Sequence, residues 1–336
     1  MQGRQPMRET IKCRLTAAAA AGVAAVAGFA ASAHAADPVK DYPLRPVRIV
    51  SGYTAGGSTD FLFRVLAPKL TDRLGQPFII DYRPGGSGTI GANLVAKATP
   101  DGHTLLSMSG AFTAHAGSVP TSYDAVKDFE WITTIVSYPF VLTARNDLPA
   151  KSAADLVALL KKNPGKLNYG SVGVGSVFHL AAELFNAMAG TDSTHIPYKG
   201  GNEALTDMIG GRIDYMFMTL TGASALIRTN RIRGIAICSK ERSPQMPELP
   251  PVSQVLPGYD VNSFAGIGAT GRTPRAVVAK LNREIHAVMA TAEVTKLFTE
   301  AGGDMYPQSP EATTRHIAGE IDKWRRVVKE RRIEVK

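Results

Sequence analysis

Glycines and small hydroxyl residues that could bind an anion follow the first strongly apolar segment of the chain. Residues 47–53 predict a β-strand, residues 54–58 predict a glycine-rich turn, and the apolar spacing beyond predicts a helix capped by Thr59 or Asp60. Glycine lets the backbone turn sharply, and free N–H groups at a helix start favour negative charge. We therefore predict a cradle for a carboxylate or a phosphate, formed by Tyr53, Thr54, Ala55, Gly56, Gly57, Ser58 and Asp60.

A second turn of this kind lies near the middle of the chain. Residues 167–171 predict a short strand, a glycine turn follows at 173–176, and a helical pattern comes next. The binding residues predicted here are Ser171, Gly173, Ser176 and His179. We interpret the two serines as hydrogen-bond donors, because no general base stands in an order typical of serine hydrolases. An exported hydrolase that uses Ser171 or Ser176 remains an alternative.

Further candidates lie at later predicted strands. Tyr198, Lys199 and Gly200 end a strand and could place a hydroxyl, a positive charge and a turn beside an anion, although a strand-to-helix connection explains them equally well. Asp214 lies in an otherwise apolar strand, where an unpaired carboxylate is costly to bury, so it accepts from a ligand or from a backbone N–H. Ser107, in the predicted strand 104–108, completes the candidate binding residues.

Other chemistries lack the residues that they need. Residues 86–91 match G-x-G-x-x-G, but the acidic partner that a dinucleotide site has about 20 positions later is missing. The chain has neither a phosphate loop with G-K-[ST] nor the zinc motif H-E-x-x-H, and His179 with Glu183 is only a weak pair of metal ligands. We therefore expect no cofactor and no metal.

The first 35 residues are typical of a secretory signal peptide. An alanine-rich apolar stretch ends at about residue 31, and A-H-A at 33–35 matches a cleavage site. A membrane anchor would need roughly 20 strongly apolar residues. We predict export to the periplasm with cleavage near Ala35, from a start at either Met1 or Met7. The basic residues before the apolar stretch are Arg4, Arg8, Lys12 and Arg14.

Composition limits the partners of the exported chain. Of 38 Lys and Arg and 29 Asp and Glu residues, the leader holds four and one, so 34 and 28 remain with a net charge of +6. This mild excess suits an acidic small ligand. The basic cluster at 323–332 has acidic residues interleaved and indicates a solvated helix face, not a nucleic-acid site. The remaining cysteine, Cys238, cannot form an internal disulfide, and we expect a buried thiol.

Strand and helix patterns alternate, which favours an α/β fold with largely parallel sheets. About 300 mature residues exceed one core, so we expect two lobes with a ligand cleft at the carboxyl ends of their strands. Pro68 should bend or interrupt the first helix, and Thr273-Pro274 and Ser309-Pro310 should start two late helices. The first lobe is assigned to residues 36–141 and 258–336 and the second to residues 142–257, with 244–257 as a linker.

A series of short motifs resembles the Bug family, the periplasmic solute receptors of tripartite tricarboxylate transporters. The match covers nearly the whole mature chain, and its specificity comes from the order and spacing of the motifs. They include Y-P at 42–43, A-G-G-S-T-D at 55–60, L-G-Q-P at 74–77, R-P-G-G-S-G-T-I-G at 83–91, P-D-G-H-T-L-L at 100–106, H-I-P-Y-K-G at 195–200 and G-G-R-I-D at 210–214.

The resemblance implies a Venus-flytrap fold without catalysis, in which a monomer holds a small carboxylate between two lobes and delivers it to a membrane permease. In the family, the turns corresponding to residues 53–60 and 171–176 clasp the carboxylate, and residues matching 198–200 and Asp214 lie at the cleft. The chain departs from the family at Phe264, where tryptophan is usual, so the resemblance does not identify the acid. An aromatic or dicarboxylic acid would suit it. A sensor that signals to a membrane kinase would need the same closing cleft.

Overall fold

Ten strands and ten α-helices lie along residues 41–335, the part of the chain that the computed structural model describes, and they alternate over most of it. The predicted signal peptide lies outside these residues. The strands are β1 (Val47–Ser51), β2 (Phe78–Tyr82), β3 (Thr104–Ser109), β4 (Phe129–Ala144), β5 (Asn168–Ser171), β6 (Thr194–Pro197), β7 (Tyr215–Thr219), β8 (Arg233–Ile237), β9 (Asn262–Thr270) and β10 (Asp304–Met305). The helices are α1 (Ser58–Leu74), α2 (Thr89–Ala96), α3 (Gly110–Ser118), α4 (Ala153–Lys162), α5 (Val177–Ala189), α6 (Gly201–Ile209), α7 (Leu220–Arg228), α8 (Arg275–Met289), α9 (Ala292–Glu300) and α10 (Pro310–Glu330).

The first lobe is built around a sheet with strands from both ends of the described chain. β2, β1 and β3 run parallel, and β9 lies antiparallel between β3 and β4. Ile49, Leu105 and Ile267 are fully buried in its core. Because β1 and β3 are parallel neighbours, the turns after Ser51 and Ser109 meet at one edge of the sheet.

β4 connects this sheet to that of the second lobe, because it is long enough to pair in both. Residues 129–139 pair with β9, and residues 140–144 pair antiparallel with β7 and β8. β5 runs parallel to β6 and β7. Both sheets are therefore mixed. The predicted lobe boundary between residues 141 and 142 falls inside β4, and the lobe limits remain a prediction.

Two helices differ from their predictions at the start or along their length, and a third is not predicted. α1 begins at Ser58 with Gly57 as N-cap, ahead of both predicted caps. Pro68 lies inside this helix without interrupting it. Proline has no N–H to donate to the carbonyl of Arg64, but Arg64 is exposed, so water can bond to that carbonyl instead. α8 begins after Pro274, not at a Thr273 cap. α3 has small, mostly buried residues and thus no polar face, so the sequence does not predict it.

The terminal helix packs against both lobes. Its N-cap Ser309 accepts from Ala312 N, which confirms the predicted start. Ile317 packs with the first-lobe cluster around Trp131, whereas Trp324 packs with the second-lobe core. α10 therefore lies beside β4 as a second connection between the lobes. Among residues 41–335, no helix is long and apolar enough to span a membrane.

The cysteine of the mature chain is buried, as predicted. Cys238 follows β8 and has no exposed surface. Burial raises the pKa of its thiol well above the usual range, which keeps the thiol protonated and unreactive.

Candidate functional site

The carboxyl ends of β1, β3 and β7 face a cavity between the two lobes, called the cleft cavity below. Its volume is about 80 Å³, equivalent to roughly three water molecules at ~30 Å³ each. The cavity thus has room for part of a small organic solute. The first lobe lines it with Ser51, Tyr53, Thr54, Gly56, Gly57, Ser58, Thr59, Asp60, Ser109, Ala111, Tyr138 and Ser263. The second lobe contributes Val172, Phe178, Gly201, Asn202, Leu205, Met218, Thr219 and Gly222.

The cradle predicted after β1 lies at this cavity. All its predicted residues line the cavity except Ala55. Gly57 makes no side-chain cap, so the first N–H groups of α1 are available to an anion. Asp60 is buried, and its Oδ2 accepts from Gly56 N at 2.7 Å and from Arg64 Nε at 2.8 Å. Its carboxylate therefore holds the turn in shape and is neutralised by Arg64. Direct ligand contact by these residues remains a prediction.

A second uncapped helix start, that of α3, lies beside the cradle. Its N-cap Ser109 makes no side-chain cap. A Cβ on Gly110 would lie 2.3 Å from Ser263 Oγ, so the α3 start approaches β9 closely. β4 pairs Tyr138 with Ser263, and burial raises the pKa of Tyr138 to about 12, so its hydroxyl stays protonated and donates to Phe264 O at 3.3 Å. The sequence does not predict these binding candidates, because pairing between distant strands brings them together.

The second lobe contributes one uncapped helix start and an apolar wall. Gly200, the N-cap of α6, makes no side-chain cap, and Gly201 and Asn202 line the cavity. The start of α7 is different, because Thr219 Oγ1 accepts from Gly222 N at 3.1 Å. The apolar side chains of the wall belong to Val172, Phe178, Leu205 and Met218.

Backbone dipoles are the source of positive charge at the lining of the cleft cavity. Among the described residues, no lysine, arginine or histidine lines it, and Asp60 is its one charged lining residue. The starts of α1, α3 and α6 each carry about half a positive charge. The same part of the chain contains no group of three or more His, Cys, Asp or Glu residues that could hold a metal. The arrangement can bind an anion through N–H groups without an ion pair.

Hydrogen bonds across the cleft hold the lobes in a closed conformation. Ser87 Oγ donates to Val174 O at 2.7 Å, and His115 Nδ1 lies 3.0 Å from the same oxygen. Asn202 Nδ2 donates to Ala55 O at 3.4 Å. These contacts join the two lobes at two places.

Two glycines among the predicted binding residues lie at this lobe interface. A Cβ on Gly173 would be 2.3 Å from Ser87 Oγ, and one on Gly200 would be 1.8 Å from Thr54 Oγ1. The backbone of Gly173, with φ +119°, also disfavours other residues. Neither glycine lines the cavity, so the structure gives them a place in lobe closure.

The other residues predicted at the second turn bond to one another. Ser176 Oγ donates to Gly173 O at 2.7 Å, and His179 Nδ1 accepts from Gly175 N at 3.1 Å. Ser171 Oγ accepts from Gly173 N at 3.0 Å. These side chains lie outside the cavity lining, because their hydrogen-bonding groups are taken up within the turn. Val172 forms the cavity wall in their place.

Ser171 has a potential base that the sequence does not reveal. Its Oγ lies 2.6 Å from His195 Nε2, and His195 stacks on His179 with ring centroids 4.1 Å apart. Such a pair could activate a serine. Ser171 is fully buried and does not line the cavity, so its hydroxyl is not presented to a ligand there. The geometry therefore does not favour the hydrolase alternative.

The buried His179 and the half-buried His195 should make stability depend on pH. Burial lowers the pKa of His195 from 6.5 to about 4 and that of His179 to about 3. The unfolded chain takes up protons below about pH 6.5 while the native chain does not, so stability is full above that pH and falls toward pH 4. Glu183, 4.0 Å from His179, has a raised pKa and acts with the opposite sign.

We therefore expect a His195→Gln variant to lose less free energy of unfolding than wild type between about pH 6.5 and 4. Denaturant titrations at several pH values measure this difference. Equal losses in the two proteins would show that His195 does not carry the dependence.

The structure places four further residues away from the cleft cavity. Tyr198 OH donates to Asp207 Oδ2 at 2.7 Å, and Tyr198 and Lys199 line a separate groove at the lobe interface. Ser107 lines a small pocket behind Tyr53, not the main cavity. Phe264 is buried in the first lobe, so its replacement of the usual tryptophan changes core packing and not the cavity wall.

Asp214 lies at the opposite edge of the second sheet. It precedes β7, whereas the cavity is lined by Met218 and Thr219 at the carboxyl end of that strand. Its Oδ1 lies 3.0 Å from Arg145 Nε, and its Oδ2 accepts from Asn168 N at 2.7 Å. The predicted position at the cleft is therefore corrected. The other prediction, that Asp214 accepts from a backbone N–H, is confirmed.

Replacing Asp214 by alanine should cost about 2 kcal/mol of stability, because Asn168 N and Arg145 lose their acceptor. Ligand affinity should not change. Denaturant unfolding and calorimetry measure the two effects. Asp147→Ala is the control, because it removes the exposed second partner of Arg145 and should leave stability nearly unchanged. If the Asp214→Ala protein lost affinity at temperatures where it remains folded, Asp214 would contribute to the binding site.

Known proteins resemble this chain over most of its length. The model for the tripartite tricarboxylate transporter family receptor matches residues 62–333. Protein BugT of Bordetella pertussis is 32% identical over 316 residues, which cover 92% of this chain and 96% of BugT.

Solved structures are similar as well. Rpa4515 of R. palustris, determined with adipate, is 34% identical with a TM-score of 0.84 and covers 87% of this chain and 99% of its own. MatC from Rhodopseudomonas palustris, with bound malate, is 30% identical with a TM-score of 0.82 and covers 85% and 100%. These matches confirm the resemblance to Bug proteins and the two-lobed α/β fold of periplasmic binding proteins. The chain belongs to the family of tripartite tricarboxylate transporter receptors.

Proposed function

We propose that the protein is an extracytoplasmic receptor that binds a small organic acid in the cleft cavity and delivers it to a membrane permease. The main support is the set of three uncapped helix starts around a cavity without cationic side chains. Such a site favours a carboxylate over a neutral solute. The ligands of two relatives, adipate and malate, are small carboxylates.

Export and delivery belong to the same proposal. The signal-peptide pattern of residues 1–35 supports a periplasmic location after cleavage near Ala35. Closure of two lobes over the ligand gives a permease two distinct states to recognise, since a ligand that contacts both lobes shifts the population to the closed form. The protein acts as a monomeric binder, not as an enzyme.

Calorimetry with residues 36–336, refolded to remove any retained ligand, tests the anion site. Matched pairs of acid and amide, such as benzoate with benzamide and hexanoate with hexanamide, differ in charge more than in shape. We expect some acids to bind and each amide to bind at least about tenfold more weakly, a difference of ~1.4 kcal/mol. If the amides bound as tightly as the acids, the site would not recognise the negative charge of a carboxylate. If no acid bound and a neutral solute did, the proposed function would fail.

A further inference from the structure

The two walls of the cleft cavity differ in chemistry. The first-lobe wall carries hydroxyl groups and helix starts, with Ser58, Ser109, Tyr138 and Ser263 among its residues. The second-lobe wall carries four apolar side chains, including Phe178, Leu205 and Met218. A ligand between these walls meets hydrogen-bond donors on one side and hydrocarbon on the other.

Polar groups of both lobes meet at the start of α1. Tyr138 lines the cavity together with Ser58 and Thr59, and its hydroxyl donates to Phe264 O in β9 at 3.3 Å. The second lobe's uncapped start, at α6, lies at the same turn, because Asn202 Nδ2 reaches Ala55 O. The N–H groups of these two helix starts are therefore neighbouring donors for one carboxylate.

The apolar wall offers no charged partner for a second carboxylate. Met218 is buried with the second-lobe cluster, and Leu205 packs against that cluster. Phe178 contacts Phe140 edge to face, with ring centroids 5.0 Å apart. Thr219 Oγ1 accepts from Gly222 N to cap α7, which leaves one O–H donor beside these side chains. No cationic residue of the described chain lines the cavity, so a second carboxylate at this wall would lose most of its water without gaining an opposite charge, which is unfavourable.

We infer that the ligand of this receptor is a monocarboxylate whose apolar body, a short alkyl chain or a single ring, lies against Phe178, Leu205 and Met218. This inference rests on the proposed function. The carboxylate docks on the first lobe, and the second lobe closes its apolar wall over the rest of the molecule. Burial of that body contributes affinity in proportion to its apolar area.

Isosteric acids test the inference directly. Hexanoate and adipate have the same chain length and differ in one end, a methyl or a carboxylate, and benzoate and terephthalate form a second pair. Calorimetry with the refolded mature chain should show the better monocarboxylate binding at least about tenfold more tightly than its dicarboxylate partner. Tighter binding of adipate or terephthalate would overturn the inference and leave the proposed function intact. If none of the four acids bound while another dicarboxylate such as malate did, the inference would also fall.

A variant places a charge where the structure has none. Leu205→Lys puts an ammonium group at the half-buried edge of the apolar wall and should reverse the preference, so that adipate binds more tightly than hexanoate. Ile209→Lys is the control, because Ile209 is an exposed residue of the same helix and lies outside the cavity. It should leave the preference of the wild type unchanged. An equal shift in both variants would contradict the assigned wall, and the wild-type pairs decide the question if Leu205→Lys does not fold.

Discussion

A Gly57→Leu variant is expected to bind its carboxylate ligand about a hundredfold more weakly than wild type, a loss of ~2.7 kcal/mol. Gly57 lines the cleft cavity as the N-cap of α1, and no atom lies within 4 Å of the position that its Cβ would take. A leucine side chain can therefore enter the cavity of about 80 Å³, where it takes the ligand's place and covers the helix start. Calorimetry measures the loss.

The fold should tolerate this change. Gly57 has φ −77° and ψ 172°, which leucine adopts without strain. The unfolding midpoint without ligand should therefore stay near that of wild type. Gly319→Leu is the matched control, because Gly319 is exposed on α10 and its Cβ position is also open. Unchanged affinity in Gly57→Leu would remove the β1–α1 turn from the site.

A Gly200→Ala variant should lose tenfold or more in affinity, or at least ~1.4 kcal/mol, because its lobes cannot close fully. The added Cβ would lie 1.8 Å from Thr54 Oγ1 and 3.1 Å from Thr54 Cβ across the cleft. Gly200 has φ −161°, an extended conformation open to any residue, so the second lobe itself should remain stable. X-ray scattering should show a smaller ligand-induced decrease in radius of gyration than in wild type.

A second substitution separates closure from other effects. Thr54→Ala removes the atom that the new methyl group meets first. The loss of affinity caused by Gly200→Ala should be smaller when it is introduced into the Thr54→Ala protein than when it is introduced into wild type. A double-mutant cycle measures this difference. Additive losses would mean that Gly200 does not act through contact with Thr54.

The local pattern of the sequence predicts the elements around the site well where glycine and proline mark the boundaries. The turn after β1 and the Ser309 start of α10 follow such marks. α3 escapes prediction because its buried, small residues have no amphipathic period, and the lining residues Ser109 and Ala111 are missed with it. Tyr138 is missed because only the pairing of β4 with β9 sets it opposite Ser263.

Turn chemistry is local, whereas the choice of hydrogen-bond partner is not. The residue types at 54–58 and 173–176 are enough to produce two glycine turns before helices, and the predicted leader and the charge favour the prediction of an exported binder of small acids. Only the folded chain separates the two turns. The first residues of α1 line the cavity, while Ser171, Ser176 and His179 form hydrogen bonds within their own lobe. The apolar wall is likewise a product of tertiary packing, because in sequence Leu205 and Met218 look like any other core residues. Buried polar groups form hydrogen bonds with residues that are distant in sequence, and the groups left without such a bond are the ones that can bind a ligand.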